Sequence, residues 1–303
     1  MTAYETLRDG KVDEALAELQ QKVRSAPADP KLRIFLFQLL CVQGQWDRAL
    51  TQLNVAGEMD ASATTMMQMY REAIRCEVLR GEVFAGKRTP MIFGEPENWI
   101  ALVIQALKLT SEGQHAAAAQ LREEALEAAP ATAGKIVVRS KPGTSEEDPI
   151  DPTQPFEWLA DADSRIGPLL EAVVNGRYYW IPFHRIRRIE FDPPADLRDV
   201  VWTPASFTWA NGGEMVGLIP TRYPGSHASA DPLVRLARKT DWLPAGENAY
   251  LGQGQRMLAT DAGEYAILDI HQIMLDSPDQ AFTAESIVNE LIAGEAVPEP
   301  LDG

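Results

Sequence analysis

The sequence predicts a two-part fold, an N-terminal solenoid of helical hairpins followed by a C-terminal α+β domain with a mainly antiparallel sheet. A glycine-alanine motif recurs at a spacing of 34 residues in the first part of the chain, which is typical of helical repeats. After residue 156, β-branched and aromatic residues begin to alternate with polar residues, as strands with one buried face do. We place the helical repeat domain at residues 1–138, a proline-rich linker at 139–155 and the α+β domain at 156–303.

The repeat consists of a glycine, an alanine five residues later and a large apolar residue four residues after that. The copies begin at Gly10, Gly44 and Gly113, and the first two continue as Ala15 with Leu19 and as Ala49 with Leu53. This is the tetratricopeptide pattern, in which glycine lies at the turn of a helical hairpin and alanine lies where two helices touch. It predicts a TPR-like α-solenoid as far as about residue 135, and an unrelated helical bundle is the alternative.

The other helices of the first domain follow from composition and period. Residues 31–43 and 99–109 are apolar on more than one face, as expected of a helix packed against both its hairpin partner and the next repeat. Residues 64–80 are helical by the same criteria but lack the glycine-alanine turn. We interpret them as a degenerate repeat.

The second domain is predicted element by element. Its linker contains four prolines in residues 139–155, and a helix is expected at 164–174, before an Asn175-Gly176 turn. Strands are expected at 177–181, 185–191 and 264–275, and a hairpin at 207–219 because Asn-Gly favours tight turns. A short helix at 283–292 would close the chain.

Charge and composition exclude several functions. The net charge of −16 argues against nucleic acid, whose phosphates require clustered Lys and Arg. No apolar run reaches the roughly 18–20 residues that span a bilayer, and the first residues do not look like a secretory signal. Two cysteines, Cys41 and Cys76, give neither a disulfide framework nor metal-ligand spacing. We expect a cytoplasmic protein without a membrane or nucleic-acid partner.

The sequence offers little for catalysis. None of the four histidines is paired with a nucleophile, and no nucleophile elbow, zinc-protease or phosphate-loop motif occurs. Asp161 and Asp163 could hold a hard cation, but capping of the following helix explains them better. We therefore predict no catalytic residues, no metal and no cofactor. Arginine and tyrosine at 177–178 and 222–223 could instead form a recognition surface, because such side chains dominate interface hot spots.

Several long peptides, in order, resemble one family. They are WLADADSRIGP (158–168), NGRYYWIPF (175–183), PADLRDVVWTP (194–204), TWANGGE (208–214), IPTRYPGS (219–226), LARKT (236–240) and GQRMLATD (254–261). They resemble the ImpE/SciE family, also called TagJ, of accessory proteins of bacterial type VI secretion. The resemblance covers nearly the whole chain, and its specific peptides lie in residues 156–275.

The resemblance implies a non-enzymatic cytoplasmic adaptor. Some members of the family bind an N-terminal helix of the small subunit of the contractile sheath, and they are thought to modulate sheath disassembly by an AAA+ unfoldase, which this chain would meet indirectly. A helical-repeat groove suits such a partner. Our own register places these residues in the groove: Ile34, Gln38, Cys41, Ile100, Val103 and Leu107. A second-domain surface would use Asp161, Asp163, Arg165, Arg177, Tyr178, Arg222 and Tyr223.

Two alternatives remain open at this stage. The α+β domain could be a ligand-binding, metal-binding or hydrolytic module, with Asp161, Asp163 and His184 around a pocket and the repeats recruiting it. The protein could also be a scaffold that forms a homodimer through the α+β domain. The sequence does not separate this second alternative from the adaptor.

Overall fold

The computed structural model describes residues 3–60, 64–140, 153–246 and 248–276. Its helices are α1 (Ala3–Arg8), α2 (Val12–Ser25), α3 (Pro30–Val42), α4 (Trp46–Met59), α5 (Thr64–Phe84), α6 (Asn98–Ser111), α7 (His115–Ala128) and α8 (Pro232–Arg235). Its strands are β1 (Met91–Ile92), β2 (Gly134–Val138), β3 (Thr153–Phe156), β4 (Leu159–Asp161), β5 (Leu169–Val174), β6 (Arg177–Pro182), β7 (Ile186–Phe191), β8 (Trp202–Trp209), β9 (Glu214–Pro220), β10 (Thr240–Pro244), β11 (Tyr250–Gly254), β12 (Met257–Thr260), β13 (Glu264–Ala266) and β14 (Ile270–Leu275).

The helical hairpins form where the glycine-alanine motif predicts them. The repeat glycines all adopt positive φ at the hairpin turns, with values of 81° at Gly10, 65° at Gly44 and 76° at Gly113. A residue with a Cβ adopts this conformation only with strain. The motif alanines that follow are fully buried, so the two helices of each hairpin approach closely at these positions. The TPR-like part of the predicted fold is confirmed.

The second part of the fold is a mainly antiparallel sheet, as predicted. Nine strands run in the order β1-β6-β5-β9-β8-β7-β14-β2-β3, and β10-β11 and β13-β12-β4 form two smaller sheets. The β8-β9 hairpin lies where the Asn-Gly signal predicts it. Strands β5 and β6 are joined by Asn175 and Gly176, which both have positive φ (49° and 71°), the geometry of a tight hairpin turn.

The predicted helix at 164–174 is wrong. Residues up to Pro168 form a turn, and Leu169–Val174 is the strand β5, every residue of which is buried. A strand buried on both faces has a continuous apolar sequence without alternation, which periodicity cannot distinguish from a short buried helix. The flanking Gly167-Pro168 and Asn175-Gly176 pairs favour the strand.

Other boundaries also differ from expectation. Strand β2 lies within residues predicted to be helical repeat, yet it pairs with both β14 and β3 in the large sheet. Strand β3 occupies residues 153–156, at the end of the predicted linker. The predicted strand at 264–275 is divided into β13 and β14 by the 3-10 turn Ile267–Asp269. The predicted helix at 283–292 lies outside the described residues.

The sheet packs directly on the helices and shares a core with them. The ring of Trp202 on β8 lies 5.8 Å from Tyr70 of α5 and 6.0 Å from Trp46 of α4, measured between centroids. At Gly44, an added Cβ would lie 2.3 Å from the imidazole of His227. Glycine is therefore required at this position for two reasons, the positive φ of the hairpin turn and the close approach of the sheet domain.

None of the helices in the described part of the chain is long and apolar enough to cross a membrane.

Candidate partner-binding site

A buried chain of alternating charges connects the helices to the sheet. Arg80 of α5 donates to both carboxylate oxygens of Glu171 on β5, at 2.6 and 3.0 Å, and to Glu77 at 2.8 Å. Glu171 also accepts from Arg256, which continues to Asp161 on β4. Tyr178 donates its hydroxyl to Glu171. Each ionised side chain of this buried network therefore has an oppositely charged neighbour, which a buried charge requires.

Glu171 and Asp161, the two carboxylates that accept hydrogen bonds from Arg256, have different pKa values. Burial alone would raise the pKa of Glu171, but the guanidinium groups of Arg80 and Arg256 outweigh it and lower the pKa to about 2. At Asp161, burial outweighs the single guanidinium of Arg256 and raises the pKa to about 6. Asp161 has one arginine partner where Glu171 has two, and the neighbouring carboxylates of Asp163 and Glu171 raise its pKa further.

Asp163 stabilises a turn. Its carboxylate accepts from the backbone N–H of Arg165 at 2.8 Å, from Nε of Arg165 at 2.9 Å and from the backbone N–H of Gly252 at 2.8 Å. Asp161 accepts from the backbone N–H of Asp163 at 2.8 Å. Short polar side chains commonly stabilise turns in this way. The predicted capping role is therefore right in kind, although the capped element is a turn and not a helix.

Asp161, Asp163 and His184 do not share one pocket, because Asp161 and Asp163 line the groove described below and His184 does not. His184 lies elsewhere, with its Nε2 3.0 Å from Glu97 and its ring near Trp99. Burial lowers its pKa. Within the described ranges, no group of three or more His, Cys, Asp or Glu side chains is arranged to hold a metal ion.

The other predicted second-domain residues are mostly interior. Tyr178, Arg222 and Tyr223 are buried, and Arg177 is half-buried at the start of β6. Arg222 donates to the carbonyl of Val42 at 2.9 Å and to that of Cys41 at 3.3 Å. Arg222 therefore attaches the sheet to the end of α3, whereas Tyr178 and Tyr223 donate to Glu171 and Asp161 inside the sheet domain. These buried side chains do not form a free recognition surface.

The predicted groove of the helical repeats is likewise filled. Gln38, Cys41, Ile100, Val103 and Leu107 are buried, and only Ile34 is half-buried. Residues from the sheet, including Trp180, Trp202 and Leu218, belong to the same apolar cluster as most of these positions. The correction has a simple cause: most of these side chains lie in a core that the helices share with the chain's own second domain. Of the six predicted residues, only Val103 lines the groove described next.

An open groove lies between α7 and the turn that follows β4. Its volume is about 920 Å³. The apolar residues Val103, Leu126, Trp158 and Ile166 line it. Leu126 is 55% exposed and Trp158 41% exposed, and Leu126 lies against the turn at Gly167, whose added Cβ would be 3.5 Å away. Glu123 and Glu127 are exposed on the α7 side. We call this the α7 groove.

One polar residue of the α7 groove is unusual. Arg122 is only 9% exposed and lines the groove. Its Nη1 donates to Thr110 at 3.1 Å, whereas its Nη2 has no hydrogen-bond partner among the described residues. Burial lowers its pKa. A buried donor without an acceptor is rare in folded proteins, and each case calls for an explanation.

Sequence reasoning missed Arg122, although the repeat alignment contains a signal. Counting nine residues from each repeat glycine gives Leu19, Leu53 and Arg122. The two leucines are fully buried in the core. The third repeat therefore carries a cation at a position that the first two reserve for an apolar side chain.

These features define a class: a tetratricopeptide-type repeat protein whose repeats are packed against an antiparallel sheet domain, with an exposed groove beside α7. A sequence model of the ImpE protein family matches residues 153–274, and a tetratricopeptide-repeat model matches residues 6–69. The chain is 50% identical over 279 residues to the type VI secretion system accessory component TagJ of Pseudomonas aeruginosa PAO1, with 92% of each protein covered. The chain belongs to the ImpE (TagJ) family of type VI secretion system accessory proteins.

The fold is also similar to one solved structure. The crystal structure of protein VPA1032 from Vibrio parahaemolyticus superposes with a TM-score of 0.77, covering 90% of this chain and 97% of that one. The two sequences are 22% identical, so the similarity shows a shared fold.

Proposed function

We propose that this protein is a non-enzymatic cytoplasmic adaptor of a type VI secretion system, which binds an N-terminal helix of the contractile-sheath small subunit and so modulates sheath assembly or disassembly. An AAA+ unfoldase would be affected indirectly, through the bound sheath subunit. Family membership supports the accessory role, and tetratricopeptide repeats are commonly protein-binding modules.

The single structural observation that carries the binding site is the exposure of Leu126 and Trp158 on the two sides of the α7 groove. Large exposed apolar side chains that converge on a concave surface mark interaction sites, and tryptophan is enriched among residues that dominate binding energy. An amphipathic helix lying in an apolar groove is a recurring mode of recognition.

The position of α7 also supports a helical occupant. It is the second helix of the third glycine-alanine hairpin, and its exposed Leu126 lies on a helix without a following repeat hairpin in the described chain. In a solenoid each repeat buries its apolar surface against the next one. A bound helix on this face would cover Leu126 much as a further repeat would.

The experiment is calorimetric titration of the protein with a peptide comprising the N-terminal segment of the sheath small subunit from the same secretion system. We expect binding of the native chain, and a loss of about tenfold or more for Leu126→Asp and for Trp158→Ala, because each change removes a large apolar contact. Val216→Asp is the matched control, since Val216 is 75% exposed on β9 and does not line the groove. A native chain that does not bind this peptide would refute the proposed function.

A further inference from the structure

The fold alone does not explain why Arg122, a charged side chain, occupies a buried position beside the α7 groove. Its side chain occupies the core position of a repeat, where Leu19 and Leu53 are fully buried. A cation at such a site is costly unless it is paired. Burial lowers the pKa of Arg122, and the charge of Asp163 offsets this only in part, because Asp163 already accepts from Arg165 and Gly252. The fold thus holds a poorly compensated cation beside the groove.

The unused donor is the informative atom. Thr110 accepts from Nη1 of Arg122 and itself donates to the carbonyl of Ala106 at 2.8 Å, so this side of the guanidinium is fixed. Nη2 is left without an acceptor among the residues that the structure describes. A guanidinium presents a planar fork of donors that suits a carboxylate or amide oxygen.

We propose that Arg122 is a specificity-determining residue of the α7 groove, which donates from Nη2 to an oxygen acceptor on the buried face of the bound helix. This inference rests on the proposed function, because it needs a helix in the groove. The acceptor is a carboxylate or side-chain amide placed among the apolar residues of that face. Because Nη2 is buried in the unbound protein, the proposal requires the guanidinium to rotate toward the groove that Arg122 lines. A purely apolar helix leaves the buried donor unpaired and is disfavoured.

The test is a stability and binding comparison of Arg122→Leu with the native chain. Leucine at this position restores the residue that the first two repeats use, so we expect unchanged or higher resistance to urea. At the same time we expect peptide affinity to fall about tenfold or more, the usual effect of losing a charge-assisted hydrogen bond. Arg122→Lys keeps a cation and should recover part of the affinity.

Glu124→Leu is the matched control, since Glu124 is exposed on the same helix and does not line the groove. Replacing each acidic or amide residue of the peptide by alanine in turn should reveal one position whose loss costs the native chain affinity but costs Arg122→Leu nothing. Such coupling is the signature of a direct contact.

Two results would overturn the inference, and comparison with Leu126→Asp shows whether the proposed binding site fails with it. Native affinity in Arg122→Leu would show that the donor is not used. A marked loss of stability, or failure of that variant to fold while Arg122→Lys folds and binds normally, would give Arg122 a structural role only. If Leu126→Asp abolishes binding while Arg122→Leu does not, the groove is the site and only the role of Arg122 is wrong. If neither substitution changes binding, the peptide binds elsewhere, and both the α7 groove and the role of Arg122 are refuted.

Discussion

Replacing Arg80 by alanine should destabilise the whole molecule, because this side chain connects the helices to the sheet. Arg80 makes two hydrogen bonds to Glu171, one to Glu77 and one, at 2.9 Å, to the carbonyl of Arg222. Charge-assisted hydrogen bonds contribute about 1.5–3 kcal/mol each, which sets a gross upper limit of roughly 6–12 kcal/mol.

The net loss in free energy of unfolding is smaller because Glu171 keeps other hydrogen-bond donors. It still accepts from Arg256 and Tyr178 after the substitution. Removing one partner of a buried ion pair typically costs about 3–5 kcal/mol, and we expect Arg80→Ala to lie in this range. Against a typical free energy of unfolding of about 5–15 kcal/mol, such a loss is large.

The assay is urea denaturation followed by both tryptophan fluorescence and circular dichroism. Arg75→Ala is the matched control, because Arg75 is on the same helix and pairs with Glu72 at 2.8 Å with 64% of its side chain exposed. Exposed pairs contribute about 0–1 kcal/mol. The reasoning fails if Arg80→Ala costs no more than Arg75→Ala. It also fails if the native chain unfolds in two separate transitions, one for the helices and one for the sheet.

Two further predictions test the packing and the charges. Gly44→Ala should cost clearly more stability than Gly113→Ala in thermal unfolding, because both have positive φ but only Gly44 faces the sheet domain at close range; equal losses would count against the packing. Asp161→Asn should gain stability relative to the native chain as the pH rises from about 4 to 7, by up to about 3 kcal/mol. The raised pKa of Asp161, about 6, means that its proton binding stabilises the folded state at low pH and that this contribution is lost as the pH rises through 6. Parallel pH profiles of the two proteins would refute that assignment.

Local sequence patterns were sufficient where each element is decided by its own residues. The glycine-alanine spacing predicts the hairpins because Gly44 must adopt positive φ and Ala49 must fit between helices. The Asn-Gly pairs predict turns for the same conformational reason. Alternating sequences such as that of β7 predict strands because one of their faces is buried and the other is not. In each case the physical requirement involves only neighbouring residues.

Prediction failed where burial is set by distant parts of the chain. Strand β5 was mistaken for a helix because it is an interior strand of the sheet that is buried on both faces and so shows no alternation. Cys41 was expected in an open groove because nothing in the helices reveals that Arg222 of the second domain binds its carbonyl. Arg222 shows the same limit, since its partners are carbonyl groups about 180 residues earlier in the chain. Such contacts leave no local pattern.

Burial of the repeat surface also changes where a partner can bind. A free tetratricopeptide solenoid can hold a peptide against its inner helices, but here the end of α3 already binds Arg222, and Trp202 packs against α4 and α5. A partner that competed for these positions would have to displace the sheet domain and break the Arg80–Glu171 pair, at a cost comparable to the stability of the protein.

A partner on the α7 groove displaces nothing. Because the groove is formed by both parts of the chain, with Leu126 from the helices and Trp158 from the sheet domain, a helix bound there would also strengthen the contact between them. Binding of the sheath peptide should therefore raise the unfolding temperature of the native chain and leave that of Leu126→Asp unchanged.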